Sequence, residues 1–216
     1  MEQSLVLLKP DAVIRRVVGV RVLERFLDKS FKIDNFLELQ VSESLAEKHY
    51  AEHKGKPFFP RLKEYIMLSP VVAMVVSGDG IIRSIREMAG ATMANKAEPG
   101  TIRGDYGVWG GINVIHASDS IESAKREINL WISETPLGKS DGFKNVEKYI
   151  SKWAPKTSID VTPNLREACK KLSENPNTVE SIRRQIGGYL LDENPYANKD
   201  QLNRLRDAIV QAVLEG

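Results

Sequence analysis

The chain has little of several features that mark particular classes of protein. It contains one cysteine, Cys169, so no internal disulfide can form and nothing calls for an oxidising compartment. Its 31 basic residues nearly balance its 29 acidic ones, and a net charge of +2 argues against a strongly basic nucleic-acid surface. The apolar run at residues 5–8 is too short for a signal peptide or a membrane span. We therefore expect a soluble, cytoplasmic protein with no membrane partner and no specific nucleic-acid partner.

The chain also lacks internal repeats and low-complexity tracts, and its apolar pattern predicts a mixed α+β core. Strands are predicted at residues 4–8, 31–41, 71–76 and 112–115, and helices near residues 20–27, 44–50 and 79–89, after residue 60 and after residue 119. This order fits the split βαβ, ferredoxin-like arrangement, in which helices cover an antiparallel four-stranded sheet. The long loop at residues 90–111 is expected to be functional, because structureless loops of this length are uncommon in compact domains.

A lone histidine, His116, stands at the end of the last predicted strand, just before a helix. Asp119 and Glu122 have the spacing of a capping box for that helix. Glu127 borders the apolar stripe of the same helix, so its carboxylate is predicted to point back toward the strand end. A carboxylate behind an imidazole fixes the tautomer and the orientation of the ring, which favours a nucleophilic histidine.

The loop upstream of His116 contains an arginine framed by glycines, in the sequence Gly100-Thr101-Ile102-Arg103-Gly104. Glycine lets the backbone turn tightly and approach a ligand closely. Arginine offers a planar fork of donors that suits a phosphate group. The combination indicates a phosphate site close to the candidate nucleophile.

Five motifs together resemble the nucleoside diphosphate kinase family, over about residues 4 to 134. They are KPD at residues 9–11, HYAEHKGKPFFP at 49–60, PGTIRGDY at 99–106, N-x-x-H-A-S-D-S at 113–120 and E-x-x-x-x-E-I-x-L-W at 122–131. The HASDS form, with Ala117 where glycine is commoner, is similar to archaeal members.

The resemblance implies the same ferredoxin-like fold and a kinase that passes the γ-phosphate of ATP to a nucleoside diphosphate through a phosphohistidine, in a ping-pong mechanism. It implies that His116 is phosphorylated and that Glu127 and Ser118 orient it. It further assigns the nucleotide to residues that match the family's binding positions: Lys9, Tyr50, Phe58, Arg86, Thr92, Arg103 and Asn113. Among these, Lys9 also counts as catalytic, and Phe58 would stack on the base.

The same resemblance implies a homo-oligomer, either a hexamer or a tetramer built from dimers. Mg²⁺ is expected as the cofactor, carried by the nucleotide phosphates and not by a protein cage. Gly110 stands where many members have a small apolar residue beside the base, and Met93-Ala94 replaces a common Asn-Pro. These departures touch base binding and assembly and remove no catalytic group.

Two other functions remain open on the sequence. One is a regulatory or partner-binding module that keeps the fold and uses its C-terminal helices on a partner. The other is a signalling phosphohistidine carrier that passes phosphate to a protein. The complete set of candidate site residues favours the enzyme.

Residues 1–153 are predicted to form the catalytic domain, and residues 154–216 a helical C-terminal extension outside the resemblance. Its apolar residues recur at helical spacing, at residues 179–189 and 202–213, and Asn177 with Glu180 has capping spacing. The extension offers no phosphate loop, metal cluster or nucleophile. It is therefore expected to contribute packing or assembly. A chain cut after Trp153 is expected to keep phosphotransfer if it stays soluble, but to be less stable or to change its oligomeric size.

Overall fold

The computed structural model describes residues 1–156 and 159–215; residues 157–158, near the start of the predicted extension, and residue 216 lie outside the described residues. In the first part of the chain the elements are β1 (Glu2–Leu8), α1 (Pro10–Ile14), α2 (Arg16–Asp28), β2 (Lys32–Leu39), α3 (Glu43–His49), α4 (Phe59–Ile66), β3 (Val71–Gly78) and α5 (Ile81–Ala89). They are followed by α6 (Ile102–Tyr106), β4 (Ile115–Ala117), α7 (Ile121–Glu134), α8 (Gly142–Trp153), α9 (Thr162–Glu174), α10 (Val179–Glu193) and α11 (Lys199–Leu214).

The four strands form one antiparallel sheet in the order β2-β3-β1-β4. Side chains of β1 alternate between its two faces, as the period of a strand requires. Val6 and Leu8 join the apolar cluster that contains residues of α2, α5 and α8, whereas Leu5 and Leu7 join the cluster that contains residues of α3, α4 and α7. The predicted ferredoxin-like, α+β fold is confirmed.

Three local predictions around the last strand are wrong. The strand covers residues 115–117 and not 112–115, because Val114 has a φ of 73° that extended pairing does not allow. The loop at residues 90–111 contains the short helix α6. The capping box of α7 is made by Ser120 and Ser123, and not by Asp119 and Glu122. Asp119 with Glu122 and Ser120 with Ser123 have the same three-residue spacing, and both begin with a residue that can cap a helix. The sequence alone therefore does not decide between the two pairs.

The C-terminal extension forms three helices, α9, α10 and α11, that pack on one another and on the first part of the chain. Their apolar side chains share one buried cluster with Ile14, Tyr65, Leu68, Val108 and Ile112. Residues on both sides of the boundary predicted at residue 153 therefore share one hydrophobic core. The two predicted amphipathic helices are present, but α10 begins at Val179 with Thr178 as its N-cap residue, so the predicted Asn177 cap is wrong.

A buried ion cluster, which we call the junction cluster, joins the extension to the first part of the chain. The Arg15 side chain is 1% exposed and makes a two-pronged pair with Glu193, from Nε to Oε2 at 2.8 Å and from Nη2 to Oε1 at 2.9 Å. The same Nη2 donates to Thr162 Oγ1 at 2.7 Å and to Asp160 Oδ1 at 3.3 Å. Two carboxylates thus compensate this buried guanidinium, as burial of a charge demands.

Across residues 1–156 and 159–215, none of the helices combines the length and the apolar character that crossing a membrane requires.

Candidate active site

His116 lies on β4, and its ring is held from behind by α7. Its Nε2 lies 3.2 Å from Glu127 Oε2, and the Ser118 hydroxyl donates to the same carboxylate oxygen at 2.6 Å. Ser118 in turn accepts from the Leu5 backbone N–H at 3.0 Å, so β1 fixes its direction. If Nε2 carries the proton and donates it to the carboxylate, the lone pair of the ring is on Nδ1. In this tautomer Nδ1 is the ring nitrogen that is free to accept a bond.

Glu127 is buried, and its charge state follows from its neighbours. Burial acts to raise the pKa of its carboxyl, but the hydrogen bond and charge of His116 and the hydrogen bond of Ser118 outweigh burial and bring the pKa below its usual value. The residue is therefore a carboxylate at neutral pH. The predicted inward position of Glu127 is confirmed.

A strained turn sets the position of the strand that carries His116. Val114 adopts φ 73°, and the Ile115 N–H donates to the Asn113 carbonyl at 2.8 Å, which closes a three-residue γ-turn. Such a backbone is unfavourable for a β-branched residue and needs support from its surroundings. Asp11 supplies it by accepting from the Val114 N–H at 2.9 Å, and the Val114 carbonyl accepts from the Lys9 N–H at 2.8 Å.

The turn also brings Lys9 and Asn113 together. Lys9 Nζ donates to Asn113 Oδ1 at 2.7 Å, and Asn113 Nδ2 donates to the Thr92 carbonyl at 2.5 Å. Lys9 is 7% exposed, and burial followed by the positive charge of Arg103 lowers its pKa to about 8, against a smaller opposite effect of Asp11. A buried ammonium whose hydrogen bond goes to a neutral amide is poised to bind an anion.

Arg103 lies on α6 and reaches across to β4. Its Nη1 donates to the Gly90 carbonyl at 2.8 Å and its Nη2 to the Ile115 carbonyl at 2.9 Å. Its Nε is buried and has no hydrogen-bond partner among the described residues. Burial and the charge of Arg86 lower the Arg103 pKa to about 10, which still leaves it charged at neutral pH. Arg86 itself is exposed on α5.

Tyr50 and Phe58 occupy opposite environments. Tyr50 is 7% exposed, and burial raises the pKa of its hydroxyl, which stays protonated as a donor. Phe58 is 43% exposed and packs edge-on to His53, with ring centroids 5.5 Å apart. An exposed aromatic ring is available for stacking on a ligand, whereas its neighbour Phe59 is partly buried and packs against the core.

His49 is a residue in contact with His116 whose role the sequence did not reveal. Its ring meets the His116 ring edge to face at 4.8 Å between centroids, and burial followed by the charge of His116 lowers its pKa to about 3. The Trp131 indole N–H donates to His49 Nδ1 at 3.3 Å, so the neutral ring carries its proton on Nε2. A neutral His49 adds no charge that would compete with His116 for Glu127.

His49, His116 and Glu127 form a group whose ligand atoms lie within 4.8 Å of one another. The hydrogen bond from Trp131 leaves His49 Nε2 protonated, and a protonated nitrogen cannot ligate a metal. This group therefore does not fit a metal centre.

The structure brings seven of the sequence-predicted residues together around β4 and the turn before it, whereas Phe58 and Arg86 lie exposed and make no hydrogen bond to this group among the described residues. Lys9, Asn113 and Thr92 are joined by hydrogen bonds, Arg103 bonds to the strand of His116, and Glu127 and Ser118 hold the ring. A histidine with a free ring nitrogen beside buried cations is an arrangement typical of phosphotransferases that form a covalent histidine intermediate, and it indicates this class of protein.

Comparison with known proteins gives the family. The family model described as "Nucleoside diphosphate kinase" matches residues 2–137. A nucleoside diphosphate kinase of Crocosphaera subtropica is 52% identical over 137 residues, which are 63% of this chain and 91% of that protein, and one of Methanothermobacter thermautotrophicus is 53% identical with the same coverage. This chain belongs to the nucleoside diphosphate kinase family, whose members are nucleotide-binding phosphotransferases.

The fold comparison agrees. The structure of a halophilic nucleoside diphosphate kinase from Halobacterium salinarum in complex with CDP has a TM-score of 0.58 and 43% identity; the match covers 60% of this chain and 86% of that chain. An Aquifex aeolicus nucleoside diphosphate kinase has a TM-score of 0.57 and 37% identity. The extension that begins beyond residue 153 lies outside the residues that the family model matches.

Proposed function

We propose that this chain transfers the γ-phosphate of ATP to a nucleoside diphosphate by a ping-pong mechanism through phosphorylated His116. The observation that carries the proposal is the contact of His116 Nε2 with the Glu127 carboxylate, 3.2 Å away, which directs the ring lone pair to Nδ1. Membership of the family supports the same reaction.

In the first half-reaction, His116 Nδ1 attacks the γ-phosphorus of ATP. The new N–P bond forms as the bond to the bridging oxygen breaks, and that oxygen leaves with the electron pair on ADP. Throughout, the Glu127 carboxylate accepts a hydrogen bond from Nε2–H and stabilises the positive charge on the phosphorylated ring. In the second half-reaction a terminal oxygen of a nucleoside diphosphate attacks the same phosphorus, and the histidine is the leaving group.

The buried cations supply the charge that this transfer needs. Phosphoryl transfer depends chiefly on positioning and on stabilisation of charge on the phosphoryl oxygens. Lys9, Arg86, Thr92 and Arg103 are assigned to the phosphates, and Asn113 to the sugar end of the nucleotide. The Tyr50 hydroxyl donates near the phosphates. Phe58 stacks on the base, and because every base has a π-face this contact predicts broad base tolerance.

Kinases of this family generally depend on a divalent cation, and Mg²⁺ is the cation we assign. The His49, His116 and Glu127 group does not fit a metal, so the cation is expected to come with the nucleotide phosphates. Mg²⁺ prefers phosphate oxygens and retained waters to a cage made only of protein ligands.

The remaining assignments concern the whole protein. Residues 1–153 are assigned as the catalytic domain and residues 154–216 as the extension. A homo-oligomer, a hexamer or a tetramer of dimers, is expected from the family resemblance, and a cytoplasmic location from the single cysteine and the short apolar run at residues 5–8.

The experiment is labelling of the full chain with γ-³²P-ATP and Mg²⁺. We expect an acid-labile, base-stable adduct that mass spectrometry places on His116 among the three histidines of the chain, and no adduct in His116→Ala. Addition of any nucleoside diphosphate should discharge the label as a triphosphate. Label that persists in His116→Ala would overturn the assignment, and label that only a protein acceptor can discharge would point to a phosphohistidine carrier instead.

A further inference from the structure

The carbonyl end of α6 is held by an arginine of the extension. Arg166, on α9, donates from Nε to the Gly107 carbonyl at 2.7 Å, from Nη1 to the Gly104 carbonyl at 2.7 Å and from Nη2 to the Arg103 carbonyl at 3.0 Å. Arg15 adds a fourth guanidinium contact at this end, from Nη1 to the Tyr106 carbonyl at 3.1 Å. Every donor group of the Arg166 guanidinium thus contacts the backbone of one short segment.

This short segment needs outside support to keep its shape. Helix α6 has only five residues, so it makes few internal hydrogen bonds: the Arg103 carbonyl accepts from the Gly107 N–H at 3.0 Å, but the last carbonyls of a helix have no helical partner. A cation at the C-terminal end of a helix satisfies such carbonyls and complements their partial negative charge. Arg166 therefore fixes where α6 lies relative to the sheet.

Helix α6 carries Arg103, and Arg166 contacts the backbone of that residue directly. The Arg103 carbonyl accepts from Arg166, while its side chain spans from the Gly90 carbonyl to the Ile115 carbonyl next to His116. The two ends of Arg103 are thus held separately, one by the extension and the other by the site. A shift of the backbone end would move the guanidinium away from the histidine.

We propose that Arg166 is a positioning residue for phosphoryl transfer, which sets the place of the Arg103 guanidinium by holding the backbone of α6. This inference rests on the proposed role of Arg103 in binding the phosphoryl group. Arg166 lies beyond residues 2–137, which the family model matches, so the extension of this chain supplies these three hydrogen bonds. The extension contributes to the site without touching the nucleotide.

The test uses the full chain and the rate of His116 phosphorylation in a single turnover with ATP. Arg166→Met removes all three hydrogen bonds, and Arg166→Lys keeps the charge but cannot reproduce the fork of donors. A misplacement of about 1 Å can lower a rate by about 100-fold, and we expect a loss of about 10-fold to 100-fold at saturating ATP in both variants, with a smaller change in KM.

Arg206→Met is the matched control. Arg206 also makes three side-chain hydrogen bonds, to Asp207 and Asn203, but all of them stay within α11. If Arg166 acts only through stability, the two variants should lose rate in proportion to their thermal destabilisation. We expect the Arg206→Met rate to stay within a factor of two of the wild type, because none of these three hydrogen bonds reaches α6.

A double-mutant cycle with Arg103→Gln identifies the route. If Arg166 acts through Arg103, Arg166→Met should cause no further loss of rate in the Arg103→Gln background, while its effect on thermal stability persists. If Arg166→Met lowered the rate by the same factor in both backgrounds, or if Arg166→Met kept the wild-type rate, the positioning role would be overturned and the proposed role of Arg103 would stand. A wild-type rate in Arg103→Gln by itself would instead refute the proposed role of Arg103, and the positioning role with it.

Discussion

Two regions of this molecule bury basic side chains, and they differ in the partners that these side chains have. At the junction cluster, the Arg15 guanidinium meets the carboxylates of Glu193 and Asp160. At the active site, Lys9 donates to the neutral amide of Asn113, and Arg103 donates to two backbone carbonyls. The junction arginine has anions of its own, whereas the site cations have none bonded to them among the described residues.

The pKa values separate the two groups in the same sense. Burial and the charge of Arg103 lower the pKa of Lys9 to about 8, and burial and the charge of Arg86 lower that of Arg103 to about 10. Burial acts on Arg15 as well, but the charge and hydrogen bonds of Glu193 outweigh it and raise the Arg15 pKa. A buried charge without a counter-charge destabilises the fold. The difference indicates that the site is built to bind an anion, whereas the junction cluster stabilises the fold.

The largest effect is expected at the junction. Glu193→Gln leaves the Arg15 charge buried without its main partner, and breaking such a pair typically costs about 3–5 kcal/mol. Urea unfolding should show this loss in the free energy of unfolding, with His116 phosphorylation retained below the unfolding transition.

Glu180→Gln is the control for the junction variant, because Glu180 is exposed and 3.8 Å from Arg183, and exposed pairs contribute little. Equal stability of the two variants would show that the junction cluster does not hold the extension in place.

A somewhat smaller effect, on rate and not on stability, is expected at the site. Removing a donor aimed at transition-state charge costs about 2.7–4 kcal/mol, so Lys9→Ala and Arg103→Ala should each slow His116 phosphorylation by about 100-fold to 1,000-fold. Their free energies of unfolding should change far less than that of Glu193→Gln, because the lost charge had no counter-charge. Parallel losses of rate and stability would mean that these residues are structural.

The sequence predicted the site better than it predicted the parts that hold the site. The pairing of His116 with Glu127 followed from a strand end and a helical stripe only eleven positions apart, a local relation. The positive φ of Val114, the helix α6 and the proton position of His49 depend on Asp11, Arg166 and Trp131, which are distant in sequence. No local pattern shows such contacts.

The extension illustrates the same limit. Its apolar stripes predicted helices, but not that they would share a core with Ile14, Tyr65 and Ile112. A chain cut after Trp153 would uncover that surface, leave Arg15 without Glu193 and remove Arg166. These contacts give the expected loss of stability a physical reason, and the proposed role of Arg166 predicts slower phosphotransfer as well. Point substitutions separate the two effects.

The smallest expected effect is a pH dependence from Lys9. Its pKa lies near 8 in the folded protein and near 10.5 in an ordinary setting. Below pH 8 the ammonium is present and its burial destabilises the fold; between pH 8 and 10.5 the folded state has lost the proton that the unfolded state keeps, so this cost is relieved as pH rises. Affinity for a nucleotide should fall over the same range, because the cation disappears.

The most direct measurement is the pKa of Lys9, followed by NMR of the side-chain carbon next to Nζ, with Lys9→Met to assign the signal. In the free protein we expect a midpoint near pH 8. Bound ADP with Mg²⁺ should move it upward, because a phosphate supplies the missing negative charge. A midpoint near 10.5 that ADP leaves unchanged would contradict the conclusion that the site is a buried, uncompensated cation pair awaiting phosphate.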